Sequence, residues 1–105
     1  ESSEAYSLDN NERVAAWVKN DHLGFDISYV YQGAVRKYRP DFIIKLSNGE
    51  FLILETKGKE TLQDKTKRQA LIEWVDAVNQ DGRFGKWYSA VSYHPKDIGG
   101  ILNSF

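Results

Sequence analysis

The sequence has no cysteine, only two histidines and no long apolar run, and each shortage argues against a class of protein. Without cysteine the chain forms neither a disulfide framework nor a thiolate metal site, which suits the cytoplasm. His22 and His94 lie far apart in sequence, which disfavours a zinc site. No apolar stretch approaches the ~20 residues of a membrane-spanning helix, and the N-terminus lacks the apolar region of a signal peptide. We therefore expect no association with membranes.

The chain also has little net charge, with 14 basic and 15 acidic residues giving −1. This balance argues against a purely electrostatic nucleic-acid binder, so contacts to phosphate need local clusters of cations. A length of 105 residues suits one domain with one core. Within that single domain, 1–105, we expect residues 1–8 to be flexible. The chain begins Glu1-Ser2-Ser3 without a Met, and we expect it to be a piece of a longer protein.

Two apolar runs, 42–46 and 51–54, are separated by Ser47-Asn48-Gly49 and predict a β-hairpin. Acidic residues interrupt the apolar pattern where the first strand begins, at Asp41, and where the second ends, at Glu55. Because the strands of a hairpin are antiparallel, these two ends lie side by side. The length of the loop decides whether both carboxylates share a face.

A two-residue loop at Asn48-Gly49 would place Asp41 opposite Thr56 and turn Glu55 to the other face. A three-residue loop with Gly49 in the left-handed conformation would place Asp41 opposite Glu55. Both loops suit the sequence. We predict the three-residue loop because it explains why both carboxylates interrupt apolar strands, and their convergence rests on this choice.

Adjacent carboxylates repel each other unless a proton or a cation lies between them. Few oxygen ligands beside a lysine suit Mg²⁺ that keeps part of its water shell and contacts phosphate. Such an ion supplies a nucleophilic water and stabilises charge on a phosphate, and Lys57 could position that water or neutralise the developing charge. The alternative is a hairpin with polar ends and a surface Glu-x-Lys pair.

Pro40-Asp41 followed by Glu55-Thr56-Lys57 resembles the signature of the PD-(D/E)xK nuclease superfamily. A wider set of residues resembles, more narrowly, the C-terminal endonuclease domain of type III restriction enzymes. This set comprises Arg39-Pro40-Asp41-Phe42, Glu55-Thr56-Lys57-Gly58, Trp74, Asn79 and Phe84-Gly85-Lys86-Trp87.

The resemblance implies a restriction-endonuclease-like α/β (α+β) fold with an α-β-β-β-α-β core and a mixed sheet flanked by helices on both faces. It implies Mg²⁺-dependent or Mn²⁺-dependent cleavage of DNA, with metal bound by Asp41, Glu55 and the Thr56 carbonyl and with Lys57 assisting. It further implies an upstream helicase-like ATPase in the same chain, a modification methyltransferase subunit as a possible partner, and a prokaryotic cytoplasm.

Around the hairpin, the pattern predicts a helix from Asp9 to about Asn20, because Val14, Trp17 and Val18 form an apolar stripe. Glu12 on this helix either completes a capping box with Asp9 or, by resemblance, approaches the metal. The other predicted elements are strands at 25–31, from about 35, and at 86–93, and helices at 62–80 and 97–102. The hairpin strands are apolar on both faces, so we expect helices to cover both.

Two groups of cations flank the hairpin and are candidates for holding the DNA backbone. They are Arg36, Lys37 and Arg39 before it, and Lys59, Lys67 and Arg68 after it. By resemblance, Lys67 lies where a lysine or glutamine assists the site. The alternative is that both groups are ordinary solvated surface.

Three functions follow from these observations. The first is a Mg²⁺-dependent endonuclease, the cleavage module of a type III restriction enzyme. The second is a DNA-binding or interaction module on the same fold whose catalysis is weak or lost. The third is a protein-interaction domain that presents its aromatic residues, although Trp17 and Trp74 fall on predicted core stripes.

Overall fold

The protein is represented by a computed structural model that describes residues 2–105. Helices and strands follow one another along this part of the chain. Their order is α1 (Ser2–Asp9), β1 (Val14–Lys19), β2 (Ile27–Tyr31), β3 (Ala34–Tyr38), β4 (Phe42–Leu46), β5 (Phe51–Thr56), α2 (Leu62–Asp81), β6 (Trp87–Ser92) and α3 (Asp97–Leu102). The domain is of the α+β class.

A mixed four-stranded sheet forms the centre, in the order β1-β4-β5-β6. Strand β4 is antiparallel to both of its neighbours, β1 and β5, whereas β6 runs parallel to β5. A parallel neighbour requires a crossover connection, and α2 provides it. Strands β2 and β3 pair only with each other and form a separate antiparallel hairpin.

Both faces of the sheet are covered, as the apolar strands predicted. On the α1/α3 face, side chains of α1 and α3 pack against Phe42, Ile44, Leu46, Leu52 and Leu54. On the α2 face, helix α2 and the β2–β3 hairpin pack around Ile53. Because successive residues of a strand alternate between faces, Asp41 and Glu55 belong to the same alternation as Ile43 and Ile53.

The three-residue hairpin loop is confirmed. Phe42 lies opposite Leu54 in the register of β4 and β5. The Leu46 backbone N–H donates to the Glu50 carbonyl (2.7 Å), which leaves Ser47 to Gly49 as the loop. Gly49 has φ of 89°, a left-handed conformation that glycine adopts without steric cost. Continuing the register by one residue beyond Phe42 places Asp41 opposite Glu55.

Helix α2 also matches its prediction closely. Thr61 caps it, and the Asp64 carboxylate accepts a hydrogen bond from the Thr61 backbone in return, which completes the capping box. The helix ends at Gly82, which is left-handed with φ of 78°. Leu71 and Val75 are its buried residues. Within residues 2–105, no helix combines the length and apolar character needed to cross a membrane.

The predicted helix from Asp9 to Asn20 is wrong, since Val14–Lys19 is strand β1. Val14 and Trp17 pack on the α1/α3 core, but a β-bulge between Val14 and Ala16 shifts the strand's alternation. Two apolar residues three positions apart, Val14 and Trp17, therefore reach the same core from a strand. This spacing is the same as that of an apolar stripe on a helix. Asp9 is no N-cap, because it is the last residue of α1 and strand β1, not a helix, follows it; its carboxylate accepts a hydrogen bond from Trp17 Nε1 (2.8 Å).

The N-terminal residues also differ from expectation. Residues 1–8 were predicted to be flexible, yet Ser2–Asp9 is helix α1. Leu8 of this helix is 1% exposed and belongs to the core. Glu1 lies outside the described residues. The predicted order α-β-β-β-α-β is correspondingly wrong at its start, because a helix and then β1 precede the β2–β3 hairpin.

Candidate active site

The two carboxylates lie at the open end of the β4–β5 hairpin, opposite its loop. Asp41 directly precedes β4, and Glu55 is the last residue but one of β5. Thr56 and Lys57 continue from Glu55, and the Lys57 backbone N–H donates to the Ser92 carbonyl (2.9 Å). The hairpin register alone therefore brings the predicted acidic pair together.

Asp41 is a partnered carboxylate. Its Oδ2 accepts a hydrogen bond from the Thr56 backbone N–H (2.7 Å) and another from the Thr56 hydroxyl (3.1 Å). Asp41 also borders a cavity of about 160 Å³ whose other lining residues are Glu4, Lys19, Phe42 and Thr56. The Asp41 carboxylate is thereby fixed at the end of the sheet and remains half-buried.

Glu55, unlike Asp41, has a carboxylate oxygen without a hydrogen-bond partner in the described part of the chain. It is 5% exposed, and its Oε1 has no hydrogen-bond partner among residues 2–105. Burial, followed by the negative charge of Asp41, raises the pKa of Glu55 to about 7, against opposing contributions from Lys57, a hydrogen bond from the Asp41 backbone, and Lys67. A carboxylate that is this costly to ionise is stabilised by any cation that reaches it.

Tyr38 and Lys67 interact with each other and electrostatically with Glu55. The Tyr38 hydroxyl donates to the Lys67 carbonyl (3.0 Å), and the Lys67 ammonium lies 5.8 Å from the centre of the Tyr38 ring. Burial, and then the charges of Glu55 and Asp41, raise the pKa of Tyr38 further above its usual value, so the phenol stays neutral. The positive charge of Lys67 thus acts on Glu55, and its role at the site stays a prediction.

Lys57 pairs with a different acid. Its Nζ lies 3.0 Å from Asp64 Oδ1, at the first turn of α2. Burial lowers the pKa of Lys57, but the hydrogen bond and charge of Asp64 outweigh this effect and the net pKa is raised. The Thr61 backbone N–H, and then Lys57, lower the pKa of Asp64 to about 2. Lys57 and Asp64 are thus a stable ion pair beside the carboxylates.

The cations predicted to hold DNA are scattered. Arg68 is engaged with Glu60 (2.7 Å), and Arg39 pairs with Asp26 (3.3 Å). Arg36 is opposite Tyr29 in the β2–β3 hairpin, and Lys37 follows it on the other face. Arg36, Lys37 and Arg39 therefore do not form one cluster. The charge of Lys67 acts on Glu55, and Lys59 is exposed in the loop after β5.

Glu12 is not brought to the site. It lies in the turn before β1, and Val14 of that strand pairs with Leu46 at the hairpin loop. At a rise of about 3.3 Å per residue, the length of β1 separates Glu12 from Asp41 by roughly 20 Å. The acidic residue of the first helix that borders the site is Glu4, which lines the cavity beside Asp41.

Asn20 is a buried polar residue at the site that the sequence did not reveal. It is 6% exposed, and its backbone N–H donates to the Asp41 carbonyl (2.8 Å). The one signal for Asn20 in the sequence is that a polar residue follows an apolar run. That signal marks the end of a strand only if the run is recognised as strand β1. Because that run was interpreted as a helix, Asn20 was never aligned with Asp41.

The acidic pair would offer a cation oxygen ligands only, which suit Mg²⁺ and Mn²⁺ better than ions that prefer nitrogen or sulfur ligands. Among residues 2–105, no three His, Cys, Asp or Glu side chains are grouped so as to hold a metal ion. Two carboxylates, one of them buried with an unpartnered oxygen, match the sparse oxygen sites in which Mg²⁺ keeps several waters. Comparison of the chain with protein-family models, curated proteins and solved structures finds no match.

Proposed function

We propose that this domain is a Mg²⁺-dependent endonuclease, a restriction-endonuclease-like cleavage module of the type III kind that hydrolyses phosphodiester bonds in DNA. One observation carries the proposal. Glu55 is almost fully buried, has an unpartnered oxygen and lies opposite a second carboxylate at an open sheet end. An uncompensated carboxylate in that position costs stability, and such costs concentrate at functional sites.

Asp41, Glu55 and the main-chain carbonyl of Thr56 are the residues that would hold Mg²⁺. When bound there, the ion would supply a water nucleophile and offset the charge of the scissile phosphate. The hydrogen bonds from Thr56 keep the Asp41 carboxylate oriented, and Leu54 and Ile53 hold Glu55 in a fixed strand. The pair is therefore preorganised by the sheet rather than by a loop.

Lys57 would act on the substrate after leaving Asp64. Its side chain is 26% exposed, so the ammonium keeps some access from solvent, although Asp64, at 12%, is largely covered. A DNA phosphate beside the carboxylates offers Lys57 an alternative anion. Lys57 then neutralises charge at the scissile phosphate, while Lys59 and Lys67 hold neighbouring phosphates.

A second candidate is a DNA-binding module with weak or lost catalysis. The Lys57–Asp64 ion pair favours it, because the lysine expected to assist hydrolysis is held on the capping residue of α2. The two candidates differ in turnover, not in the location of the site.

Nicking of supercoiled plasmid by the purified chain, with Mg²⁺ or Mn²⁺, tests the leading proposal. We expect wild-type protein to convert supercoiled DNA to open circles, and Asp41→Asn and Glu55→Gln to abolish this conversion. Glu12→Gln is the matched control, since it removes an exposed carboxylate at the far end of the sheet. Equal nicking by all four proteins would refute the assignment of the site.

Binding measured without turnover separates the two candidates. Ca²⁺ occupies Mg²⁺ sites but often fails to support hydrolysis, so it should tighten the binding of fluorescent duplex DNA by wild-type protein and not by an Asp41→Ala/Glu55→Ala variant. Binding enhanced in this way, with no nicking in Mg²⁺ or Mn²⁺, would establish the binding module. Equal enhancement in both proteins would show that Ca²⁺ acts on the DNA.

A further inference from the structure

Asn20, Asp41 and Glu55 occupy one row across three neighbouring strands. The register of β1 and β4 ends with Lys19 opposite Phe42, so the next pair outward is Asn20 opposite Asp41. The hydrogen bond from the Asn20 backbone N–H to the Asp41 carbonyl confirms that pairing. Because directly opposed residues point to the same face of a sheet, the register assigns the row to the α2 face, although the Asp41 carboxylate, at the strand end, turns to the Thr56 hydroxyl and borders the cavity that Glu4 lines.

The Asn20 side chain is only half satisfied. Its Nδ2 donates to the Phe25 carbonyl (3.0 Å), whereas its Oδ1 has no hydrogen-bond partner within residues 2–105. A carbonyl can accept but not donate, so Phe25 fixes which end of the amide is nitrogen. A buried acceptor without a partner costs about 1–3 kcal/mol.

Unpartnered oxygens thus occur on both sides of Asp41. In the part of the chain that the structure describes, Asn20 Oδ1 and Glu55 Oε1 are the two buried side-chain polar atoms without a partner. Both are acceptors, so neither satisfies the other unless a proton or a cation lies between them. Two nearby donors are engaged elsewhere, since the Tyr38 hydroxyl bonds the Lys67 carbonyl and the Lys57 ammonium pairs with Asp64.

We propose that Asn20 is a ligand of the divalent cation, with its Oδ1 completing the oxygen set of Asp41 and Glu55. The inference rests on the proposed function and extends its metal site to a third strand. An amide oxygen is a suitable ligand for Mg²⁺ and Ca²⁺. It adds no charge, so it does not increase the repulsion that already raises the pKa of Glu55.

The affinity of the chain for Mn²⁺ alone, measured by calorimetry without DNA, tests this role. Asn20→Leu removes Oδ1 and keeps the size of the side chain, and we expect it to weaken Mn²⁺ binding about tenfold or more, as loss of one supporting ligand does. The Asp41→Asn/Glu55→Gln double variant should lose binding altogether.

Asn79→Leu is the matched control. Asn79 is also a partly buried asparagine, and it bonds the Trp87 backbone through both its amide nitrogen (2.9 Å) and its oxygen (2.8 Å), away from the row. We expect this variant to lose stability but to keep the wild-type Mn²⁺ affinity. Asn20→Asp keeps an oxygen and adds charge, so it should bind Mn²⁺ more tightly than wild type, an effect that a purely structural role would not produce.

Each result of the Mn²⁺ measurements distinguishes a ligand role of Asn20 from an alternative. Wild-type affinity in both Asn20→Leu and Asn20→Asp, with binding lost in the double variant, would overturn the role of Asn20 and leave the Asp41–Glu55 site standing. If the Glu55 carboxyl titration followed by NMR moved in Asn20→Leu while Mn²⁺ affinity did not, a proton would be the occupant. No Mn²⁺ binding by wild-type protein would overturn both the inference and the proposed function. If Asn20→Leu does not fold, Asn20→Asp alone decides.

Discussion

The two faces of the central sheet are formed by alternating residues of the same strands. At the ends of these strands, however, the residues on the two faces differ in chemistry. On the α1/α3 face, Leu52 and Leu54 are fully buried and apolar, and the row ends in the partly buried Thr56. On the α2 face, the row that begins with Ile53 ends in Glu55, which is as well buried as its neighbours but carries an ionisable group. Two consecutive residues, Leu54 and Glu55, therefore occupy comparable burial with opposite chemistry.

The difference indicates which part of the fold serves stability and which part serves function. Natural sequences are locally consistent except where a functional constraint overrides packing. Leu54 fits its environment, whereas Glu55 does not, and the unpartnered oxygens of Glu55 and Asn20 lie on the same side of the sheet. Substitutions on the two faces should therefore differ in sign and in pH dependence.

The largest effect is expected on the apolar face. Leu54 is 0% exposed, so Leu54→Ala removes buried methyl groups and leaves a cavity. We expect the free energy of unfolding to fall by about 2–5 kcal/mol, equally at pH 5 and pH 8. Urea unfolding at both pH values measures this loss. A loss under about 1 kcal/mol would show that the α1/α3 face collapses around the gap.

On the α2 face, Glu55→Gln should stabilise the metal-free protein. The pKa of Glu55 rises from 4.5 to about 7 on folding, so between these values the folded state holds more protons than the unfolded state. Wild-type stability therefore falls as pH rises through this window, by up to about 3 kcal/mol. Glu55→Gln should recover most of this loss at pH 8 and have little effect near pH 4.5.

The control for this prediction is Glu12→Gln, which removes an exposed carboxylate and should leave the pH profile of wild type intact. Urea unfolding in EDTA at a series of pH values provides the comparison. A Glu55→Gln profile that still falls from pH 5 to pH 8 as steeply as wild type would mean that another group causes the dependence.

The smallest effect is expected at Asp64, an acidic residue beside the same site whose carboxylate is fully engaged. It accepts from Thr61 and pairs with Lys57, so Asp64→Asn should lower the free energy of unfolding by about 1 kcal/mol at pH 7, the typical value of a helix cap. The folded pKa of about 2 lies below the ordinary value of 3.8, so this contribution is present above pH 3.8 and is lost as pH falls towards 2. A gain in stability at pH 7 would contradict this account.

Elements with local signals were predicted well. The apolar runs of the hairpin, Gly49 in its loop, and the capping residues Thr61 and Asp64 each act within a few positions of one another. Their effect does not depend on the rest of the fold, because a turn or a cap is fixed by nearby backbone and side-chain atoms. The placement of Asp41 opposite Glu55 followed from the loop length alone.

The first 20 residues were predicted wrongly because tertiary packing decides their structure. Val14, Trp17 and Val18 satisfy a helical spacing, but the open edge of β4 offers this segment a hydrogen-bonding partner, and a bulge lets Val14 and Trp17 both reach the core. Helix α1 has a weak amphipathic pattern and is held by Leu8 against the α1/α3 face. Local spacing cannot distinguish these alternatives, because the competing interactions come from residues distant in sequence.

The sequence by itself determined the hairpin but allowed two loop lengths, and the three-residue loop that forms brings Asp41 opposite Glu55 because loop length fixes the pairing of two adjacent strands. Only the tertiary structure decided the surroundings of that pair. Burial of Glu55 requires α2 and the β2–β3 hairpin, the pairing of Lys57 with Asp64 requires the start of α2, and the approach of Asn20 requires β1. Each depends on segments brought together by folding, and solvation and partners of a charged group are properties of that assembled environment rather than of neighbouring residues.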